Sequence, residues 1–164
     1  MTVIVRELLP SDAEAAHVVA QRAQKALRAV YRPSAELVRS NQAKVDCRHR
    51  LVAVHSRQIV GTVSYDQRGD RIHLQSLAVD PEWQRRGIGR ALIAYLVELA
   101  RSRGASRLSL YTVVETGNVP VFERFGFRVV STEPACGFEA VGVADINEAY
   151  MEMTIDTGYW PTTT

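Results

Sequence analysis

Lysine is nearly missing from this chain. Of its 20 basic residues only Lys25 and Lys44 are lysines, so cationic contacts fall to arginine, whose planar fork suits phosphate and carboxylate groups. Cysteine is scarce too: Cys47 and Cys136 stand far apart without CxxC spacing, which excludes a zinc ribbon or a dithiol redox motif and fits a reducing compartment. Charge of one sign is also lacking. A net charge of +2 with no dense basic run gives no footing for nucleic acid. No apolar run reaches the length that spans a bilayer, and Met1-Thr2-Val3-Ile4-Val5-Arg6 carries no signal-peptide pattern, so the expectation is a cytoplasmic protein with neither membrane nor nucleic-acid partner.

What is present is ordinary globular material: 164 residues, 46% hydrophobic and 23% charged, enough for one domain with one substantial core. Thr2 to Arg6 reads as a first strand. Ser11 with Glu14 forms a capping-box pattern, and the apolar positions Ala16, Val19, Ala20, Ala23, Leu27 and Val30 extend the helix behind it to about Val30. Pro33 interrupts, and a weaker helix is predicted over 35–45. Two strands, Leu51 to Val54 and Ile59 to Tyr65, flank a short turn, and a third arm runs from Arg71 to Val79. In that arm Ile72 and Leu74 lie on one face while Leu77 and Val79 lie on the other. The phase changes near Gln75-Ser76, which implies either a β-bulge or burial on both faces.

From Ile88 to Ala100 the apolar residues recur every three to four positions, and Arg103-Gly104 supplies the stop. Arg107 to Val114 is a strand, Asn118 the expected N-cap of a short helix, and Phe125 to Val130 another strand. The stretch 132–147 reads as loop, Ala149 to Ile155 as the last strand, and 156–164 as a tail behind a single domain over 1–155.

The chemistry concentrates at Gln84-Arg85-Arg86-Gly87-Ile88-Gly89-Arg90, between strand and helix. Two glycines at such a junction let backbone N–H groups come close to a ligand, and the unpaired donors and positive dipole of a helix start favour an anion. No Gly-Lys-Ser/Thr follows, which excludes a P-loop. The position after antiparallel hairpins in mid-chain argues against a dinucleotide fold. A phosphorylated ligand is the expectation.

The run Leu77-Ala78-Val79-Asp80-Pro81-Glu82-Trp83-Gln84-Arg85-Arg86-Gly87-Ile88-Gly89-Arg90-Ala91-Leu92 resembles the acetyl-CoA-binding segment of the GNAT superfamily of N-acetyltransferases, and Val121 to Phe127 resembles that family's second signature, a short helix ending in Gly-Phe. The resemblance implies an α/β (α+β) fold, with a mixed, mostly antiparallel sheet of six or seven strands and helices on both faces. It implies acetyl transfer to a primary amine, by direct attack in a ternary complex with acetyl-CoA as co-substrate. It also implies main-chain contacts from Leu77, Ala78 and Val79 to the pantetheine arm. The peptides of Arg85, Arg86, Gly87, Ile88, Gly89 and Arg90 would cradle the pyrophosphate. The acceptor is expected to be a small amine or a peptide, and a homodimer fits the resemblance.

The chain departs from the family where catalysis is expected. Relatives place a tyrosine four residues before the Gly-Phe pair; here it is Phe122. Their asparagine seven residues earlier is Glu115, and a strand glutamate in some of them is Gln75. Candidate catalytic groups are therefore Glu115 at the end of the β-rich run, His73 on the third arm, and Tyr111 as a replacement acid. Phe122 and Gln75, in place of the family's tyrosine and glutamate, also leave a rival, an acyl-CoA-binding or sensing module with little turnover. None of the histidines stands at metal-ligand spacing.

Overall fold

The computed structural model describes residues 1–38, 49–141 and 145–156. The predicted helix beyond residue 38, Asp46, Cys47 and the tail from 157 lie outside them. Seven strands form one sheet in the order β1-β3-β4-β5-β6-β9-β7, and β2 pairs with β8 in a separate two-stranded piece. The strands are β1 (Ile4–Glu7), β2 (Tyr31–Pro33), β3 (His49–His55), β4 (Gln58–Arg68), β5 (Arg71–Val79), β6 (Arg107–Val113), β7 (Arg128–Pro134), β8 (Phe138–Ala140) and β9 (Asn147–Thr154). Helices α1 (Ala13–Gln24), α2 (Ile88–Ser102) and α3 (Val119–Phe125) complete the frame. Every pairing in the large sheet is antiparallel except β5 with β6. This is the mixed α/β architecture, mostly antiparallel, that the sequence implied.

The core follows from alternation. Leu51, Ala53, Val63, Tyr65, Ile72, Leu74, Leu108 and Leu110 point to the sheet face covered by α2, where Ile88, Leu92, Ile93, Leu96 and Val97 are buried against them. Each such aliphatic side chain contributes about 1.5–3 kcal/mol of transfer free energy. Val52 and Ile59 face the other way and bury Ala16 and Val19 of α1. Gly61 is required by this packing. A Cβ there would stand 2.7 Å from Ile88 Cγ2, so its absence lets the first turn of α2 lie directly on β4.

The phase change in β5 is a bulge. Thr62 pairs with Ala78 and Ser64 with Gln75, so Val63 alone faces Ser76 and Leu77, and Ser76 takes φ 54°. The extra residue keeps one face apolar: Leu74 opposite Tyr65 and Val79 opposite Gly61 both lie toward α2.

Several expectations need correction. Helix α1 stops at Gln24, and a 3-10 turn at Leu27–Ala29 leads straight into β2 instead of continuing to Val30. Ser11 and Glu14 do not form the cap; the Asp12 carboxylate accepts the Leu9 N–H at 2.8 Å and pairs with Arg6 at 2.6 Å. Asn118 stands at the N-cap of α3 without a side-chain cap bond. Phe125 ends α3, and Gly126, at φ 108°, turns the chain into β7. The stretch expected as loop contains the end of β7 and all of β8. These two are short or exposed strands whose partners lie far away in sequence, so local periodicity carries little trace of them.

Candidate active site

Strands β5 and β6 pair only at Arg71–Arg107, Ile72–Leu108 and His73–Ser109, although β5 continues to Val79 and β6 to Val113. Beyond that point the parallel strands diverge and leave two main-chain edges facing a gap. An extended ligand arm can satisfy such edges as an added strand does. Leu77, Ala78 and Val79 lie along the β5 side of the opening.

At its outer end, β5 passes through the 3-10 turn Pro81–Trp83 into the glycine turn. The turn is anchored from below. Asp80, 3% exposed, accepts the Glu82 N–H at 3.0 Å and an Arg22 guanidinium N–H at 2.7 Å, tying α1 to the start of the motif. The Gln84 amide donates to the Val79 carbonyl at 3.2 Å. Arg85 and Gly87 both adopt left-handed backbone, φ 61° and 82°. The Ala91 N–H bonds the Gly87 carbonyl, so the N–H groups of Ile88, Gly89 and Arg90 precede the first intrahelical bond. A Cβ on Gly89 would approach Phe125 Cζ to 3.3 Å, while Gly87 has open space around it. Gly89 therefore serves the packing of α3, and Gly87 serves the turn.

The three arginines differ. Arg86 lies over the Trp83 ring at 5.0 Å, whereas Arg85 and Arg90 are exposed at the helix start. The His55 ring also packs against Trp83, 4.9 Å between ring centroids.

On the face away from α2, the divergence is framed by polar side chains in register. Asp66 lies opposite His73, His73 opposite Ser109, and Ser109 opposite Glu152. His73 is 2% exposed, with Nδ1 2.8 Å from Ser109 Oγ. Tyr111, 55% exposed, meets His73 edge-on at 5.5 Å and Tyr150 at 5.0 Å. Arg71 donates to the Tyr150 hydroxyl at 2.6 Å, which donates to Glu152 at 2.9 Å; Arg107 joins Glu152 to Asp70. Burial, then the hydrogen bond to Glu152, pushes the Tyr150 phenol up. Tyr111 and His73 are thus brought together at the mouth of the gap.

Glu115 is committed to a partner on β9. Its carboxylate accepts the Asn147 backbone N–H at 2.9 and 3.1 Å and the Asn147 amide at 2.9 Å. The backbone bond above all holds it below the usual carboxylate range. A carboxylate so engaged is a poor proton acceptor and a good latch: it fixes the start of β9 to the end of β6. Phe122, at the position of the family's tyrosine, packs edge-on against Phe125 and Phe127. Tyr31, Tyr150 and Glu148 escaped sequence reasoning. Their neighbours come from strands distant in the chain, and the alternation of β9 with Met151 and Met153 inward was the one available signal.

A sheet split by diverging parallel strands, with an anion-ready helix start at its outer end, defines a mixed α/β protein with a cleft along one strand edge. The Acetyltransferase (GNAT) family profile matches residues 16–127, and the chain belongs to that family. Glucosamine 6-phosphate N-acetyltransferase of Trypanosoma brucei brucei is 36% identical over 56 residues, 34% of this chain and 37% of that protein. The ribosomal protein bS18-alanine N-acetyltransferase of Escherichia coli (strain K12) is 36% identical over 62 residues, 36% of this chain and 40% of its own length. The match thus spans well under half of each of these curated relatives. The solved structure of the Escherichia coli enzyme superposes with a TM-score of 0.72 at 20% identity, over 99% of this chain and all of that one. PaiA N-acetyltransferase from Thermoplasma acidophilum, in complex with coenzyme A, superposes at 0.70 with 19% identity, over 94% and 99%. At such identities these two likenesses speak for the fold.

Among the described residues no group of three metal-ligating side chains occurs, and no helix is long and apolar enough to cross a membrane.

Proposed function

We propose that this chain transfers an acetyl group from acetyl-CoA to a primary amine, by direct attack within a ternary complex. The observation that carries the reading is the divergence of β5 from β6 after His73–Ser109, leading to an exposed helix start at Gly87. The open strand edge at Leu77, Ala78 and Val79 suits the amides of the pantetheine arm. The peptides from Arg85 to Arg90, with the Arg85 and Arg90 guanidinium groups beside them, suit the pyrophosphate. Bound there, the coenzyme supplies an activated acyl group on a thiol leaving group.

The protein's own tasks are to orient, to polarise and to manage protons. Positioning two reactants in one cleft accounts for much of such a barrier. The Val79 N–H, on the open side of β5, is assigned to the thioester carbonyl. Phe122 cannot donate a proton. Tyr111 is assigned as the acid, since it stands exposed beside the gap, with the His73 ring edge-on against it and His73 held in turn by Ser109. A thiol of reference pKa ~8.5 leaves acceptably without full protonation, so this assistance is worth about 10²–10⁴-fold and not the whole acceleration. Glu115 is assigned to holding β9 in place.

Phe122 and its aromatic neighbours support a second reading, a module that binds acyl-CoA with little turnover. Thiol release from acetyl-CoA over a panel of primary amines separates the two. Saturable release with at least one amine is expected; coenzyme binding without release above the uncatalysed rate would favour the sensing module.

A further inference from the structure

Glu148 has no role in the assignments above, yet its setting is unusual for a glutamate. It is the second residue of β9, directly opposite Val113, the last residue of β6, and therefore shares a face with Tyr111 and Tyr150, which pair one step further along. That face is the one away from α2. Val113 is buried there although it is no part of the α2-side core. Glu148 lies one strand spacing, about 4.8 Å, beyond the strand that borders the gap. Burial pushes the Tyr31 phenol of β2 up, the Arg28 charge opposes this, and the Glu148 charge adds a smaller upward push; Phe138 of β8 packs edge-on against Tyr31 at 5.1 Å. The small β2–β8 sheet thus brings aromatic rings within electrostatic reach of the carboxylate.

The charges around it are few. Glu133 of β7 lies directly opposite Glu148 and is exposed, so it gives no countercharge. Arg28, from the turn before β2, acts on Tyr31 and forms no ion pair with Glu148 among the described residues. Burial alone raises the Glu148 carboxyl above its ordinary value. Glu115 clamps Asn147, the residue just before it, by three hydrogen bonds. The fold therefore spends a latch on fixing a half-buried carboxylate that no cation of the described chain neutralises.

We propose that Glu148 receives the ammonium group of the acceptor in a subsite flanked by Tyr111 and Tyr150, where the ammonium loses a proton to solvent before the neutral amine attacks, and that this selects cationic primary amines over neutral or anionic acceptors. Aromatic faces beside a carboxylate are a favourable setting for a partly desolvated cation. The inference rests on the acetyl-transfer reading.

The test uses the full chain and E148Q, with tyramine, cadaverine and an alanine-leading peptide as acceptors, and initial rates followed by thiol release. The expected result is a rise of about tenfold or more in KM for the amine, as when one partner of a charge-assisted contact is lost. KM for acetyl-CoA should be unchanged, thermal stability equal or higher, and E148D should recover part of the amine affinity. An unchanged amine KM in E148Q would overturn the proposal, as would a loss spread equally over both substrates with lowered stability. Coenzyme titration separates the two levels. If the wild-type chain binds acetyl-CoA but acetylates none of these amines, the subsite assignment falls alone; if it does not bind the coenzyme, the parent reading falls and takes the subsite with it.

Discussion

The two sides of the gap between β5 and β6 are built on different principles. On the β5–α2 side the apolar residues are regular, the bulge at Ser76–Leu77 preserves their face, and what the ligand would meet is backbone. On the β6–β9 side the exposed face is a chain of polar contacts, Asp70–Arg107–Glu152–Tyr150–Arg71, with His73, Ser109 and Tyr111 beside it. A site made of main chain tolerates side-chain change as long as the turn survives. A site made of side chains from β5, β6 and β9 is where one chain of this architecture is set apart from another. On the proposed reading the coenzyme side is thus a shared device and the acceptor side an individual one.

The comparison can be broken most severely at Gly87. Gly87→Asp puts a side chain into open space at a left-handed backbone position, a strain that Asp bears better than most residues, so the fold should persist with a modest loss of stability. A carboxylate beside the diphosphate should weaken coenzyme binding by about 100-fold or more in a calorimetric titration, with a near-normal melting curve. Gly89→Asp should lose comparable affinity and also stability, because its Cβ meets Phe125. Coenzyme affinity within threefold of wild type for Gly87→Asp would remove the distinction between the two sides.

Next in size is Tyr111→Phe. It should lower kcat by about 10²-fold or more with coenzyme affinity intact. A kcat within twofold of wild type would return Tyr111 to the packing of His73 and Tyr150.

Smaller effects are expected at the latch. Glu115→Gln loses acceptors for Asn147 and should cost about 1–2 kcal/mol in denaturant unfolding. The sign with pH follows from its depressed folded-state pKa: the contribution is present above the unfolded value of about 4.3 and is lost as pH falls through the folded value. The wild-type advantage over the variant should therefore shrink in acid. An advantage that grows there would contradict the assignment. Glu148 has the opposite sign. With its folded pKa raised, it stabilises nothing at neutral pH, so Glu148→Gln should not lower the melting temperature.

The smallest effect belongs to Arg86→Ala, about 0.5–1 kcal/mol from the lost contact with Trp83, with only a few-fold change in coenzyme affinity.

The same contrast explains what was legible in the sequence. Helix α2, the phase change in β5, the glycine turn and the stop at Gly104 were readable because each is written in neighbouring residues; that a bulge and not two-faced burial causes the phase change was not. The acceptor face was not. Glu115 stood in the right segment, but nothing local showed that its carboxylate would be taken by Asn147, 32 residues later. His73 could be placed on its strand face, yet its burial depends on neighbours from β4 and β6. Tyr31 lay in a stretch read as helix followed by a proline break, and its ring packs against Phe138 from a stretch read as loop. Local pattern fixes what the backbone does; contacts across 30 or more residues decide which polar side chains end up together.

The central claim is that main-chain amides of the glycine turn receive the coenzyme's diphosphate. Its most direct test is a backbone-amide NMR titration of the full chain with coenzyme A. The account predicts that the largest shifts cluster at 85–90 and at 77–79 along β5. Saturable binding whose shifts leave both segments unmoved would contradict it.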